Sequence, residues 1–198
     1  KTRWQLVLFG LVNTALHYFF FYLGVSNSPG GRASILDSLG TFLLILAAAV
    51  VFREKLTLRS IFGCLLGFSG IVLINLGSTA GQFTLSGDGM LLCSSVCAMV
   101  GGLLTRVVTR KMDPLVATGH SLALGGALLI PAGLLMGAHP VGVHLKGLLI
   151  LAALVAVSAV GFSFYNQLLR YHPVGQIAIY NAFIPVLGAV SYTHLRAH

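Results

Sequence analysis

Seven apolar stretches divide the chain, at about 4–24, 33–52, 58–77, 89–105, 115–137, 147–169 and 174–190, with short polar segments between them. Each comes close to the roughly 20 residues an α-helix needs to cross about 30 Å of hydrocarbon. Backbone N–H and C=O groups find no water at that depth, so every run is expected to be helical throughout. Asp37 is the one formally charged residue that this pattern puts at membrane depth. The expected fold is therefore all-α, a polytopic transmembrane helix bundle.

Composition agrees with that pattern. Hydrophobic residues make up 57% of the chain and charged residues 8%, against about 45–50% and about 25% in soluble domains. Helices and short connections use up the 198 residues, leaving no room for a separate soluble domain. In a soluble chain a net charge of +8 would suggest nucleic acid, but here its placement argues for topology. With the segment before the first stretch taken as cytoplasmic, inner segments hold Lys1, Arg3, Arg53, Lys55, Arg59, Arg106, Arg110, Lys111 and Arg170. Outer segments hold only Arg32 and Lys146. That bias orients the chain by the positive-inside rule and predicts a multi-pass protein of the cell membrane, of the bacterial inner-membrane kind. Cys64, Cys93 and Cys97 fall inside predicted helices. With no histidine or acid nearby to complete a metal site, they read as small buried apolar side chains. No cofactor is expected.

The chain also repeats itself. A shift of 144 residues lays the first two stretches on the last two: Phe20 on Phe164, Phe21 on Tyr165, Pro29 on Pro173, Gly31 on Gly175, Asp37 on Asn181 and Leu43 on Leu187. The offset spans five helices, an odd number, so the two copies are expected to run in opposite senses through the membrane. Inverted repeats of this kind are common in secondary transporters. Completing both copies requires two helices ahead of the first stretch and one after the last, so seven helices of an expected ten are predicted, as inverted five-helix repeats. Residues 1–77 are then the last three helices of the first repeat, 78–87 a linker, and 88–190 the first four helices of the second. The segment Ser191–His198 resembles the translated read-through of a sequencing-library adapter and is expected to be a non-native tail.

Several motifs carry a family resemblance. Tyr18-Phe19-Phe20-Phe21-Tyr22-Leu23-Gly24 followed by Gly31-Arg32-Ala33-Ser34-Ile35-Leu36 resembles the third and fourth helices of EamA-type transporters, in the drug/metabolite transporter superfamily. Arg53-Glu54-Lys55-Leu56-Thr57, Ile61-Phe62-Gly63-Cys64 and Gly67-Phe68-Ser69-Gly70-Ile71-Val72-Leu73 resemble the signature across the fourth and fifth helices. Asn181-Ala182-Phe183-Ile184-Pro185-Val186 resembles the ninth. The resemblance covers residues 1–190 and implies ten helices in two inverted halves that move small metabolites or drugs. It departs from the family pattern at Thr41, where many members have a proline like Pro185.

Candidate substrate-binding residues follow from polar positions inside the apolar runs. Ser34, Asp37, Ser38 and Thr41 lie at i, i+3, i+4 and i+7, on one helix face. A carboxylate at membrane depth is costly and by default functional. Asp37 either faces a polar cavity, where it could couple substrate to protons, or sits near the outer interface and reaches water. Tyr180 and Asn181 occupy the matching region of the last stretch. Asn13 and His17 are spaced i, i+4 in the first stretch, and Asn166 lies in the sixth beside Tyr165 and Gln167. Such residues, like His120 and Ser121, more often bond a neighbouring helix than bind substrate. Gly63, Gly67 and Gly70, Gly101–Gly102 and Gly125–Gly126 read as small-residue packing positions. Trp4, Tyr18 and Tyr171 read as interfacial aromatics.

The favoured function is secondary transport by alternating access. The lipid bilayer and a small-molecule substrate are the expected partners, with proton or ion coupling and no nucleic acid. GxxxG steps serve internal and intermolecular contacts alike, so they set no oligomeric state. Two rivals stand beside this reading. Gly67-Phe68-Ser69-Gly70 fits the G-x-S-G of rhomboid-type intramembrane serine proteases, but a nucleophilic serine needs a base and water access, and Ser69 sits within a continuous apolar run. A seven-helix receptor fits the helix count but places its amino terminus outside, against the charge bias.

Overall fold

The computed structural model describes residues 2–54, 58–75, 82–138 and 144–181. The proposed tail, residues 78–81 of the 78–87 linker and the seventh stretch beyond Asn181 lie outside the described residues, so Asp37 can be compared with only part of its repeat partner. Among the described residues seven helices account for nearly everything. They are α1 (Trp4–Asn27), α2 (Gly30–Val51), α3 (Leu58–Asn75), α4 (Leu85–Thr109), α5 (Pro114–Leu135), α6 (Leu145–Tyr171) and α7 (Val174–Asn181). Helices α1, α2, α4, α5 and α6 are long and apolar enough to span a membrane, and α3 contains a shorter apolar segment, Ile61–Gly70. The molecule is a polytopic membrane helix bundle.

Two local rules place the helix ends. The Asp113 carboxylate accepts from the Leu115 and Val116 N–H groups at 2.8 and 3.3 Å, with Pro114 in the first turn, where its missing N–H costs nothing. Pro29, with φ −57° and ψ 135°, separates α1 from α2. The first helix is not uniform: Leu11–Leu16 forms a π turn between two α segments. A π turn re-aims the side chains it carries and often marks a functional position.

Helix α4 lies at the centre, packed against α1, α2, α5, α6 and α7. Small residues let it do so. A Cβ on Gly101 would lie 2.6 Å from Asn13 Oδ1, and one on Gly102 2.7 Å from Leu44 Cδ2. One on Gly125 would come within 2.3 Å of Thr14 Cγ2. Without a hydrophobic drive between helices in lipid, such close approach is what holds them together. The step on α3 differs from expectation: a Cβ on Gly63 or Gly70 would meet nothing within 4 Å. Leu44, Ile45 and Ala48 of α2 pack with Leu169 of α6 and Val174, Ile177 and Ala178 of α7. A second cluster joins Phe9, Val108 and Ala117. Helix α6 turns most of its length outward, with Leu149, Leu154 and Val155 exposed.

Three smaller expectations also change. Cys93 is exposed and Cys97 half-buried, because α4 presents that face outward, whereas the Cys64 side chain lies outside the described residues. Trp4 and Tyr171 are exposed as interfacial residues would be, but Tyr18 turns into the bundle.

Candidate functional site

Five helices surround a cavity of about 160 Å³, room for about five waters at roughly 30 Å³ each. Each contributes a short stripe at helical spacing. From α1 come Asn13, Thr14, His17 and Tyr18; from α2, Gly40, Thr41 and Leu44. Helix α4 supplies Ala98, Gly102 and Thr105, α5 supplies Thr118, Ser121 and Leu122, and α6 supplies Phe162, Tyr165 and Asn166. Small residues on α4 and α2 make the space, and polar groups on α1, α5 and α6 line it.

Hydrogen bonds fix much of this lining. Thr14 Oγ1 and Ser121 Oγ lie 2.7 Å apart, joining the π turn of α1 to α5. Asn166 Nδ2 donates to Thr118 Oγ1 at 2.7 Å, and that hydroxyl donates to the Pro114 carbonyl at 2.7 Å. The Asn166 amide is thus oriented by α5, its carbonyl oxygen the remaining acceptor. His17 Nδ1 lies 3.2 Å from the Ser94 carbonyl and 3.1 Å from Ser94 Oγ, which donates to the His17 carbonyl at 3.2 Å. A carbonyl only accepts, so Nδ1 carries a proton and Nε2 is the nitrogen left for another partner.

Of the residues predicted from sequence, Asn13, His17, Thr41 and Asn166 converge on this cavity. Asp37 sits one turn before Thr41, partly buried and close enough to His17 and Tyr18 to interact electrostatically. It lies seven residues past Gly30, about 10 Å along the axis at 1.5 Å per residue, deeper than a helix starting at residue 33 implied. Ser38 is buried but donates to the Ile35 carbonyl at 2.7 Å, so its hydroxyl is already used. Ser34 is half-buried, outside the lining.

Tyr180 does not join the others. Val174, Ile177 and Ala178 direct α7 at α2, and two residues past Ala178 is about 200° round a helix, which leaves Tyr180 70% exposed. The Asn181 side chain lies outside the described residues. His120 is exposed, whereas Ser121 lines the cavity.

Thr14, Tyr18, Thr105, Thr118 and Ser121 were missed as lining residues. Their signal is faint but present: Thr118 and Ser121 are spaced i, i+3, and Thr14 and Tyr18 i, i+4, as polar steps on apolar helices. Also missed were three buried or nearly buried charged groups. Asp88, Arg106 and Glu54 fall outside the apolar stretches, yet Asp88 and Arg106 belong to α4, and Glu54 folds back against α4 and α7.

The cavity thus sets several polar side chains inside an apolar membrane bundle. The EamA-like transporter family model matches residues 1–76 and 85–193. The chain belongs to that family. It is 29% identical over 161 residues to an uncharacterized transporter of Synechocystis sp., covering 70% of this chain and 48% of that one. It is 28% identical to a chloroplastic WAT1-related protein of Arabidopsis thaliana, covering 64% of this chain and 31% of the relative. A third relative, the uncharacterized transporter YvbV of Bacillus subtilis, is 21% identical over 96% of this chain and 64% of its own length. The chain thus spans about half the length of the first of these relatives, or less for the second. No solved structure matches it.

Proposed function

We propose that this chain is part of a secondary carrier that moves a small metabolite or drug across the cell membrane by alternating access. The observation that carries this reading is the cavity in which Asn13, His17, Thr41 and Asn166 meet from three helices within an apolar bundle. Residues 1–77 are the last three helices of its first inverted half and 88–190 the first four of its second, a reading supported by the family's matching two separate stretches. Its volume of about 160 Å³ favours small solutes, since drug-sized ligands occupy about 300–1,000 Å³. Asp37, one turn from the lining and beside His17, is the group proposed to couple transport to a proton or other ion. The amino-terminal end is cytoplasmic by the distribution of Lys and Arg, in a membrane of the bacterial inner type. The protease alternative has less support: Ser69 lies within the helix Leu58–Asn75, which runs unbroken through its apolar segment.

Solute uptake by the full-length protein in proteoliposomes tests the reading, with amino acids, nucleosides and cationic drugs as probes. For a transported solute, Asn166→Leu removes one hydrogen bond of about 1 kcal/mol, about a fivefold loss in transport kcat/KM. Asp37→Asn lowers uptake while the protein still inserts into the membrane. Uptake equal to the parent's in both variants would remove the cavity from the mechanism.

A further inference from the structure

Two buried ion pairs close opposite ends of the bundle. Each ties a segment before residue 55 to one after residue 81. At the end where α1 meets α2, the Asp88 carboxylate is fully buried. It accepts from Ser28 Oγ at 2.6 Å, Arg32 Nη1 at 2.8 Å and the Thr84 N–H at 3.0 Å. Arg32 Nη1 also donates to the Gln82 carbonyl at 2.9 Å. At the opposite end Arg53 adopts φ +53°, a left-handed turn that closes α2 and turns the next residue back on the bundle. That residue, Glu54, accepts from the Val174 and Gly175 N–H groups at 3.0 Å each and pairs with Arg106 of α4. The Arg106 guanidinium also sits 4.8 Å from the Phe52 ring centroid.

The cavity lies between these pairs, but not midway. Arg106 follows the lining residue Thr105 directly, so the Glu54 pair is a thin closure on that side. Asp88 precedes the lining residue Ala98 by ten positions, about 15 Å of helix. Leu91 against Gly24 and Ser95 Oγ donating to the Leu36 carbonyl at 2.6 Å pack that interval. The closure there is thick.

We propose that Glu54–Arg106 and Asp88–Arg32 are alternating latches of the transport cycle, one breaking as the cavity opens to its side while the other holds. This rests on the carrier reading above. A buried ion pair is costly to break while dry, because each charge is left uncompensated. Parting the helices at that end admits water to both partners as the contact is lost, so the pair opens and closes in step with access. Both pairs are formed together in this structure. Removing one partner biases the equilibrium toward the state open at that end, and only there.

Side-selective labelling of a cavity cysteine tests this. Cys64, Cys93 and Cys97 are replaced by Ala, Ala98→Cys is introduced as the reporter, and the whole chain is placed in membrane vesicles of both orientations. A membrane-impermeant maleimide is then applied. Glu54→Gln is expected to raise the labelling rate about fivefold or more from the Trp4 side and not from the other. Asp88→Asn is expected to do the reverse. Labelling that rises equally from both sides, or in neither variant, overturns the latches. If Glu54→Gln fails to fold, as judged by its gel-filtration profile in detergent, Arg106→Lys weakens the same contact and must show the same sidedness. Solute uptake by the same variants is read separately. Sidedness without uptake of any solute keeps the latches and rejects the carrier, and uptake without sidedness does the opposite.

Discussion

At the residue scale, function and packing use the same positions in different ways. Gly101 lets Asn13 reach the cavity edge, since a Cβ there would stand 2.6 Å from Asn13 Oδ1 and 2.9 Å from its Cα. The backbone atom cannot swing aside as a side-chain tip can, so Gly101→Ala should lower stability by about 1–3 kcal/mol. Thermal unfolding in detergent would measure it, with Gly63→Ala as a control expected to show no loss, because nothing lies within 4 Å of its added methyl. In the sequence both residues read alike, as small positions on an apolar helix. Only their neighbours differ. The same holds for Ser121 and His120: one is buried against Thr14 and the other exposed, though they are adjacent in the chain.

At the scale of elements, the apolar runs located the helices well, and the misfits have physical causes. Helix α4 is longer than its apolar stretch at both ends, running Leu85–Thr109 rather than 89–105. The hydropathy pattern ended it at charged residues, whereas Asp88 and Arg106 are each compensated by a partner elsewhere in the bundle. A pairing across more than 50 residues leaves no local mark. Helix α5 begins where local chemistry says it should, at Asp113 followed by Pro114. Asp113→Ala removes acceptors for two otherwise orphaned N–H groups and should cost about 1 kcal/mol. Chemical denaturation or thermal melting would check this, and a loss below about 0.3 kcal/mol would mean that water or lipid headgroups replace the cap. The π turn at Leu11–Leu16 had no recognisable signal, since nothing in Leu-Val-Asn-Thr-Ala-Leu distinguishes it from ordinary helix.

At the scale of the whole molecule, the amino-terminal end of α1 lies with the Glu54 latch, two helix passages on, and the connection from α5 to α6 lies at the opposite end, five passages on. Charge bias predicts that the first of these ends is cytoplasmic. In a chain without its native cysteines, Trp4→Cys should react with an impermeant maleimide only from the cytoplasmic face, and Met136→Cys only from the outer face. These positions are 79% and 57% exposed, so failure to label cannot be put down to burial. Reactivity with the faces exchanged would invert the topology and with it the assignment of the two latches to inside and outside.

The amino-acid sequence by itself determined the class of fold, because the cost of an unsatisfied backbone in hydrocarbon leaves helix as the outcome for each long apolar run. It also marked Asn13, His17, Thr41 and Asn166, since a polar group at membrane depth stands out against apolar neighbours. What it could not decide was which polar groups meet. Tertiary structure brought four of the candidates to one cavity, turned Tyr180 away, and joined Asp88 to Arg32 and Glu54 to Arg106 across the bundle. Those outcomes depend on helix rotation and on contacts between segments far apart in the chain, which the spacing of residues along one helix does not encode.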